Sequence, residues 1–301
     1  MSEHNHNYST SSKNLIRSIG INIIIVIFEI TFGLISRSFA LIADALHNVT
    51  DIGSMILSLW GEKLANKPQT ETKTYGYKRA EVIIAFVNGG ILFAIVGFVL
   101  IEAVIRIFKP EPVSGLIMIT AAGAALLGNG LATYLLQKGA GKNLNLKSAW
   151  LHSMQDTLFS FGVVLSAAII YFTGWNWLDP VASIIISIFL LKEIVAIIFE
   201  AVDMMLDSVP KDLNFSDVKT SLAEIPGVIE IDDLHIWQTG SENRFLSTHL
   251  IISETAKADR IKLLARAVEL AKEKYNIYHS TIQIVSRQEI EEVNLKCEHC
   301  N

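Results

Sequence analysis

Six apolar stretches, near residues 15–37, 40–62, 82–106, 113–137, 147–172 and 178–201, are each long enough to cross a hydrocarbon core about 30 Å thick at about 1.5 Å per helical residue. In lipid, every backbone N–H and C=O must be satisfied without water, so stretches of this kind fold as helices. With 51% hydrophobic and only 18% charged residues, the chain reads as a polytopic membrane protein with a soluble tail. Its net charge of −5 includes no basic stripe, which sets a nucleic-acid partner aside.

Two of the stretches carry the same ionisable pair. His47 and Asp51 in the second, and His152 and Asp156 in the fifth, stand four residues apart. That spacing puts an imidazole beside a carboxylate on one helix face. Ionisable groups at the centre of a membrane helix cost about 2.5–3.5 kcal/mol each on insertion scales and seldom persist without a partner or a task. Two such faces meeting supply two nitrogens and two oxygens, a tetrahedral set suited to Zn²⁺. Counting along the helices, Asp51 lies about 16 Å from the outer boundary and Asp156 about 13 Å from the inner one, so the carboxylates meet near the midplane. His47 then sits outward of them and His152 inward.

Orientation follows from the basic residues. Lys63, Lys67, Lys73, Lys78 and Arg79 lie between the second and third stretches, and Lys138, Lys142 and Lys147 between the fourth and fifth. The alternate turns hold Arg37 in one, Arg106 and Lys109 in another, and no Lys or Arg in the last. The positive-inside rule places both termini of this multi-pass protein in the cytoplasm, and a bacterial-type cytoplasmic membrane is the expected location. The polar start, 1–13, has no cleavable signal, so the first span is expected to direct insertion. Cys297 and Cys300, the two cysteines, fall in the last five residues and are expected to be reduced thiols. With His299 between them they have the spacing of a zinc-knuckle half-site, which His4 and His6 at the other terminus are placed to complete; a tail without metal is the alternative.

From Pro210 the pattern changes. Residues 214–224 read as a helix, 228–237 and 244–252 as strands, 257–275 as an amphipathic helix and 281–286 as a third strand. The expected fold class is an all-α six-helix membrane domain followed by a small cytoplasmic α+β domain of order αββαβ. The division is a segment 1–13, a transport domain 14–209, a metal-binding and dimerisation domain 210–290, and a Cys/His tail 291–301.

The run 38–51, SFALIADALHNVTD, resembles the signature of the cation diffusion facilitator family. Tyr75-Gly76-Tyr77-Lys78-Arg79-Ala80-Glu81, Asn88-Gly89, the second His-x-x-x-Asp, Leu206-Asp207-Ser208-Val209-Pro210 and Asp233-Leu234-His235-Ile236-Trp237 follow in that family's order. The resemblance covers about residues 14–287 and implies a homodimeric exchanger of divalent cations for protons, embedded in lipid. It implies that His47, Asp51, His152 and Asp156 form the transport site, with a His heading the first motif as in the zinc and cadmium branch. It also implies metal binding by His235, His249 and His279, and an Arg79–Asp207 charge pair that locks two protomers. Zn²⁺ is then both substrate and bound regulatory ion, and no organic cofactor is expected. A polar strand-edge His set and two unrelated interfacial charges are the alternative readings of those residues. The chain departs from relatives at Val285, where many carry an acid, and at Met154, where some carry a second loop-linked metal site.

Exporting Zn²⁺ against an inside-negative 100 mV costs about 4.6 kcal/mol, at about 2.3 per charge, and each entering proton returns about 2.3 plus about 1.4 per pH unit. Proton exchange is thus physically motivated. A membrane-anchored metal sensor leaves the intramembrane pairs unexplained. An intramembrane metalloenzyme calls for an open coordination position or a His-Glu-x-x-His helix, which this sequence lacks, so the reading is not an enzyme.

Overall fold

The computed structural model describes residues 20, 22–65, 67–140, 144–240, 243–254 and 259–293. Helix α1 (Asn22–Ser36) is followed by α2 (Phe39–Ala65), α3 (Ala80–Phe108), α4 (Gly115–Ala140), α5 (Leu144–Thr173) and α6 (Leu178–Met205). Among the described residues, α3 to α6 are by themselves long and apolar enough to cross a membrane. Helix α2 is as long but carries Asp44, His47, Asn48 and Asp51, which lower its hydropathy. Together they form the helical transmembrane domain. Its helices extend beyond several of the apolar windows, since a helix continues into the interface as long as its backbone finds partners.

The chain separates into two compact units. One contains the chain up to Leu59 together with Val87–Ile198; the other contains Trp60–Phe86 and the residues from Phe199 onward. In the first, the core is built of Ala40, Leu41, Val96, Met118, Ala121 and Ala167, all fully buried. The alanines among them let helix backbones approach closely, the usual packing in lipid, where burial of apolar area drives little. At Gly115 a Cβ would stand 2.8 Å from Tyr171 Cα, so α4 and α5 meet there only because the side chain is absent. Large apolar side chains such as Ile24, Phe98, Leu127 and Phe172 face outward, as a lipid-facing surface requires.

The join between α1 and α2 sets the start of the helix that carries the first His/Asp pair. Arg37 takes a left-handed φ of 59° and ends α1, with the Ser38 N–H donating to the Gly33 carbonyl at 3.0 Å. Ser38 Oγ then accepts from the Leu41 N–H at 3.1 Å, an N-cap. Fully buried Asp179, at the start of α6, accepts from the Ser38 hydroxyl at 2.5 Å, the Phe39 N–H at 2.9 Å and the Ala40 N–H at 3.3 Å. A carboxylate on the free N–H groups of a helix start is favourable both as acceptor and against the helix dipole.

In the second unit, α7 (Phe215–Ala223), β1 (Val228–Gln238), β2 (Arg244–Ile252), α8 (Arg260–Tyr275), β3 (His279–Ser286) and α9 (Arg287–Val293) form an α+β domain. The sheet order is β1-β2-β3, antiparallel between the first two and parallel between the last two. Leu263, Ala267, Ala271 and Tyr275, spaced by one turn, bury one face of α8 in a core that includes Val218, Leu222, Leu246, Leu250 and Ile277. Helix α8 ends on Asn276 in the left-handed region, φ 57°, and the Ile277 N–H closes on the Ala271 carbonyl at 3.0 Å. The αββαβ order matches the sequence reading, while α9 was not foreseen there. The Arg260 guanidinium, followed by the Ser286 N–H, holds the Glu289 carboxyl down to about 2, pinning α9 to the start of α8. Beneath α9, Val285 packs with Ile251 and Ile290. Val285, where the family resemblance implies an acid, is here part of an apolar cluster.

The segment between α2 and α3 falls in this same unit, which the sequence did not disclose. The Tyr75 ring lies 5.2 Å edge-on from Phe245, and Phe245 stacks on Trp237 at 5.4 Å.

Candidate metal centre

His47 and Asp51 project from one face of α2, His152 and Asp156 from one face of α5, and the two faces meet. His47 Nε2 is 3.1 Å from Asp156 Oδ1 and 3.9 Å from Asp51 Oδ2, and His152 Nε2 is 3.1 Å from Asp51 Oδ2. The imidazole rings stand 6.0 Å apart. His47, Asp51 and Asp156 each offer a ligand atom within 4.8 Å of the others, and His152 joins through Asp51. Asp51 Oδ2 is buried yet accepts no hydrogen bond, although two imidazole nitrogens flank it. An anionic lone pair so placed fits a cation better than any N–H on offer.

The surroundings are graded. Side-chain exposure rises from 2% at His47 and 4% at Asp156 to 14% at Asp51 and 39% at His152, so the cluster opens on the His152 side. At the closed end, Phe159 packs edge-on against His47 at 5.4 Å. On α4 and α5, the Thr133 hydroxyl lies 2.8 Å from the Ser153 carbonyl and 3.0 Å from the Thr157 hydroxyl, which ties down the helix turn that carries His152 and Asp156.

Behind the cluster runs a buried polar network that sequence reasoning did not single out. Asn48 Nδ2 donates to Glu29 Oε2 on α1 at 3.0 Å. The Ser160 hydroxyl donates to Asp44 Oδ2 at 3.1 Å and accepts from Asn129 Nδ2 on α4 at 2.9 Å. Glu29, Asp44, Asn48, Asn129 and Ser160 are all buried. These bonds join α1, α2, α4 and α5 and set the rotation of α2, hence the direction of His47 and Asp51. The signal that was available is Glu29 itself, an acid inside the first apolar stretch.

The other site residues separate. His235 Nε2 is 2.8 Å from Asp233 Oδ1 and His249 Nε2 is 4.0 Å from Asp233 Oδ2. Asp233 reaches both because it sits in a register shift of β1 with a left-handed φ of 51°. His279 does not join them within one chain: it pairs with Phe245 while His249 pairs with Gln283, so the parallel register sets the two four residues apart, about 13 Å along the strand. Its ring instead lies 5.2 Å from Phe245 and 6.2 Å from Tyr75. Arg79 and Asp207 form an ion pair inside a single chain, both half exposed. His4, His6, Cys297, His299 and Cys300 lie outside the described residues.

Two pairs of nitrogen and oxygen ligands held by facing helices suit binding and release of a divalent cation. Comparison with known proteins bears on the chain as a whole. Residues 15–206 match the family profile "Cation efflux transmembrane domain" and residues 210–286 match "Cation efflux protein, cytoplasmic domain". The chain is 34% identical over 283 residues to the zinc transporter ZitB of Pectobacterium atrosepticum, covering 93% of this chain and 88% of that one. It is 32% identical over 283 residues to the cadmium, cobalt and zinc/H(+)-K(+) antiporter of Bacillus subtilis, covering 93% and 91%. The metal cation efflux system protein CzcD of Cupriavidus metallidurans is 31% identical over 258 residues, covering 86% and 81%. Facing His/Asp pairs in a helical membrane domain, the α+β domain that follows it, and these matches along nearly the whole chain place this protein in the cation diffusion facilitator family of membrane transporters, which are not enzymes.

Proposed function

We propose that this protein exports divalent cations, zinc foremost, in exchange for protons, through a tetrahedral site made of His47, Asp51, His152 and Asp156. The observation that carries the reading is the buried, unbonded Asp51 Oδ2 flanked by His152 Nε2 at 3.1 Å and His47 Nε2 at 3.9 Å. Imidazole must be neutral to ligate metal and its ordinary pKa lies near about 6.5, so protonation and metal binding compete at one nitrogen. Metal binds the neutral site from the cytosolic side, and protons arriving from the opposite side displace it. Equilibrium zinc binding is therefore expected to weaken as pH falls through the histidine range. The reading includes a homodimer in a bacterial-type cytoplasmic membrane with both termini cytoplasmic, a transport domain over 14–209 and a metal-binding and dimerisation domain over 210–290 between segments 1–13 and 291–301. The test is zinc uptake by proteoliposomes with an imposed pH gradient. Uptake without accompanying proton movement removes the exchange.

Selectivity follows from ligand type. Replacing His47 with aspartate substitutes a hard oxygen for a borderline nitrogen, and the Zn²⁺/Mn²⁺ transport ratio is expected to fall about tenfold. An unchanged ratio counts against His47 as a ligand.

In the soluble domain, Asp233, His235 and His249 are the proposed regulatory zinc ligands, with His279 acting only if a second chain brings it near. The tail residues Cys297, His299 and Cys300, with His4 and His6, form a separate proposed zinc site, read out as zinc protection of the thiols from alkylation. For Arg79 and Asp207, half-exposed ion pairs contribute about 0.2–1 kcal/mol. Asp207→Ala is expected to impair transport modestly, and charge reversal of both residues to restore part of it. A double-mutant cycle without coupling removes the pair from the mechanism.

A further inference from the structure

Among the charged residues of the membrane domain that metal transport does not use, one stands beside the metal centre. Lys192 and Glu193 interrupt the apolar run of α6, and Glu193 is exposed there. A carboxylate cannot face hydrocarbon without a heavy penalty, so the surface around Glu193 is wet or covered by polar groups. Gln155 Nε2 on α5 donates to Glu193 Oε1 at 3.4 Å, long for a hydrogen bond, which leaves the carboxylate loosely held. Gln155 stands one residue before Asp156 and three after His152, so the carboxylate it meets lies beside the turn of α5 that carries both. His152 is also the most exposed member of the four-ligand set. The opening of the metal centre therefore has an anionic group at its edge, on a helix that supplies none of the four ligands.

Resting on the transport reading, we infer that Glu193, positioned by Gln155, is a relay carboxylate that takes the divalent cation at the open side of the site and passes it to His152 and Asp51. It binds the cation transiently while hydration water is still leaving, and it concentrates cations at the mouth. It adds a negative charge to the path without adding a ligand to the closed set. Carboxylates lining the approach to a site raise association rates and their sensitivity to salt, with less effect on the final affinity.

The experiment measures initial Zn²⁺ transport rates against Zn²⁺ concentration in proteoliposomes of the full chain, alongside equilibrium Zn²⁺ binding in detergent, for wild type, Glu193→Gln, Glu193→Asp and Asp51→Ala. Glu193→Gln is expected to lower kcat/KM about tenfold through KM, with kcat and the equilibrium affinity each within about threefold of wild type. Glu193→Asp should recover most of the loss, and raising ionic strength should slow wild type more than Glu193→Gln. An unchanged kcat/KM in Glu193→Gln overturns the relay. So does a fall in kcat alone, which marks a structural role, or a loss of zinc binding, which places Glu193 among the ligands. Asp51→Ala distinguishes loss of the relay from loss of the site: if it binds and transports zinc like wild type, the four-ligand site itself fails, whatever Glu193 does.

Discussion

Alanine at Asp51 or at Asp156 is expected to reduce zinc transport by more than about 100-fold while the protein remains folded. Each carboxylate supplies one of two anionic oxygens in a set of four, and even residues that only orient metal ligands change affinity by about 10–100-fold. Asp156 Oδ1 holds His47 at 3.1 Å, so the Asp156 truncation also frees that imidazole, while Asp51 Oδ2 stands 3.1 Å from His152 Nε2 and its loss removes the negative charge beside that ring. Neither change opens the apolar core, because Asp51 and Asp156 contact one another's motif partners and not the alanine-rich packing around Ala121 and Ala167. Zinc binding by equilibrium dialysis and elution on gel filtration separate the two effects. Wild-type transport by either variant sinks the site assignment, and a variant that elutes as aggregate while a conservative Asp→Asn partner elutes normally shows that folding needs a polar side chain of that size there but not its charge.

Asp179→Ala is expected to damage transport nearly as much from the far end of α2. Three donors, the Ser38 hydroxyl and the Phe39 and Ala40 N–H groups, converge on that one buried carboxylate. Hydrogen bonds to charged groups contribute about 1.5–3 kcal/mol each in mutational series, and buried donors left without an acceptor lose about 1–3 kcal/mol. The losses are not additive, and about 3 kcal/mol for the variant is a reasonable scale. The start of α2 then frays, and with it the rotation that points His47 and Asp51 at α5. Thermal unfolding in detergent should drop by several degrees, and transport per folded molecule should fall as well, because the ligands on α2 no longer point at α5. Asp179→Asn keeps one acceptor oxygen and is expected to fall between the two. An Asp179→Ala protein with unchanged thermal stability would return this residue to an ordinary interfacial polar group.

Much of this protein is readable along the chain because the relevant physics is local. Span length and apolarity are summed over contiguous residues, which is why α3 to α6 stand where the apolar windows do. The four-residue spacing of His47 with Asp51 and of His152 with Asp156 is a property of one helix, so the shared faces were visible before any packing was known. The alternating and helical patterns after Pro210 likewise place every strand and helix of the soluble domain except α9, which depends on Arg260 reaching Glu289 across the fold.

What the tertiary structure alone decided is which faces meet and at what rotation. Glu29 finds Asn48, and Asp44 finds Ser160, which in turn takes a bond from Asn129, only because of how α1, α2, α4 and α5 pack, and nothing in the spacing of any one helix encodes that choice. The exposure gradient from His47 to His152, and with it the place of Glu193 at the open side, comes from the same packing. In the soluble domain a strand irregularity at Asp233 gathers His235 and His249, while the parallel pairing of β2 and β3 carries His279 away from them. The residue types were legible as candidate ligands; their distances were not, because register and helix rotation are settled by contacts between residues far apart in sequence.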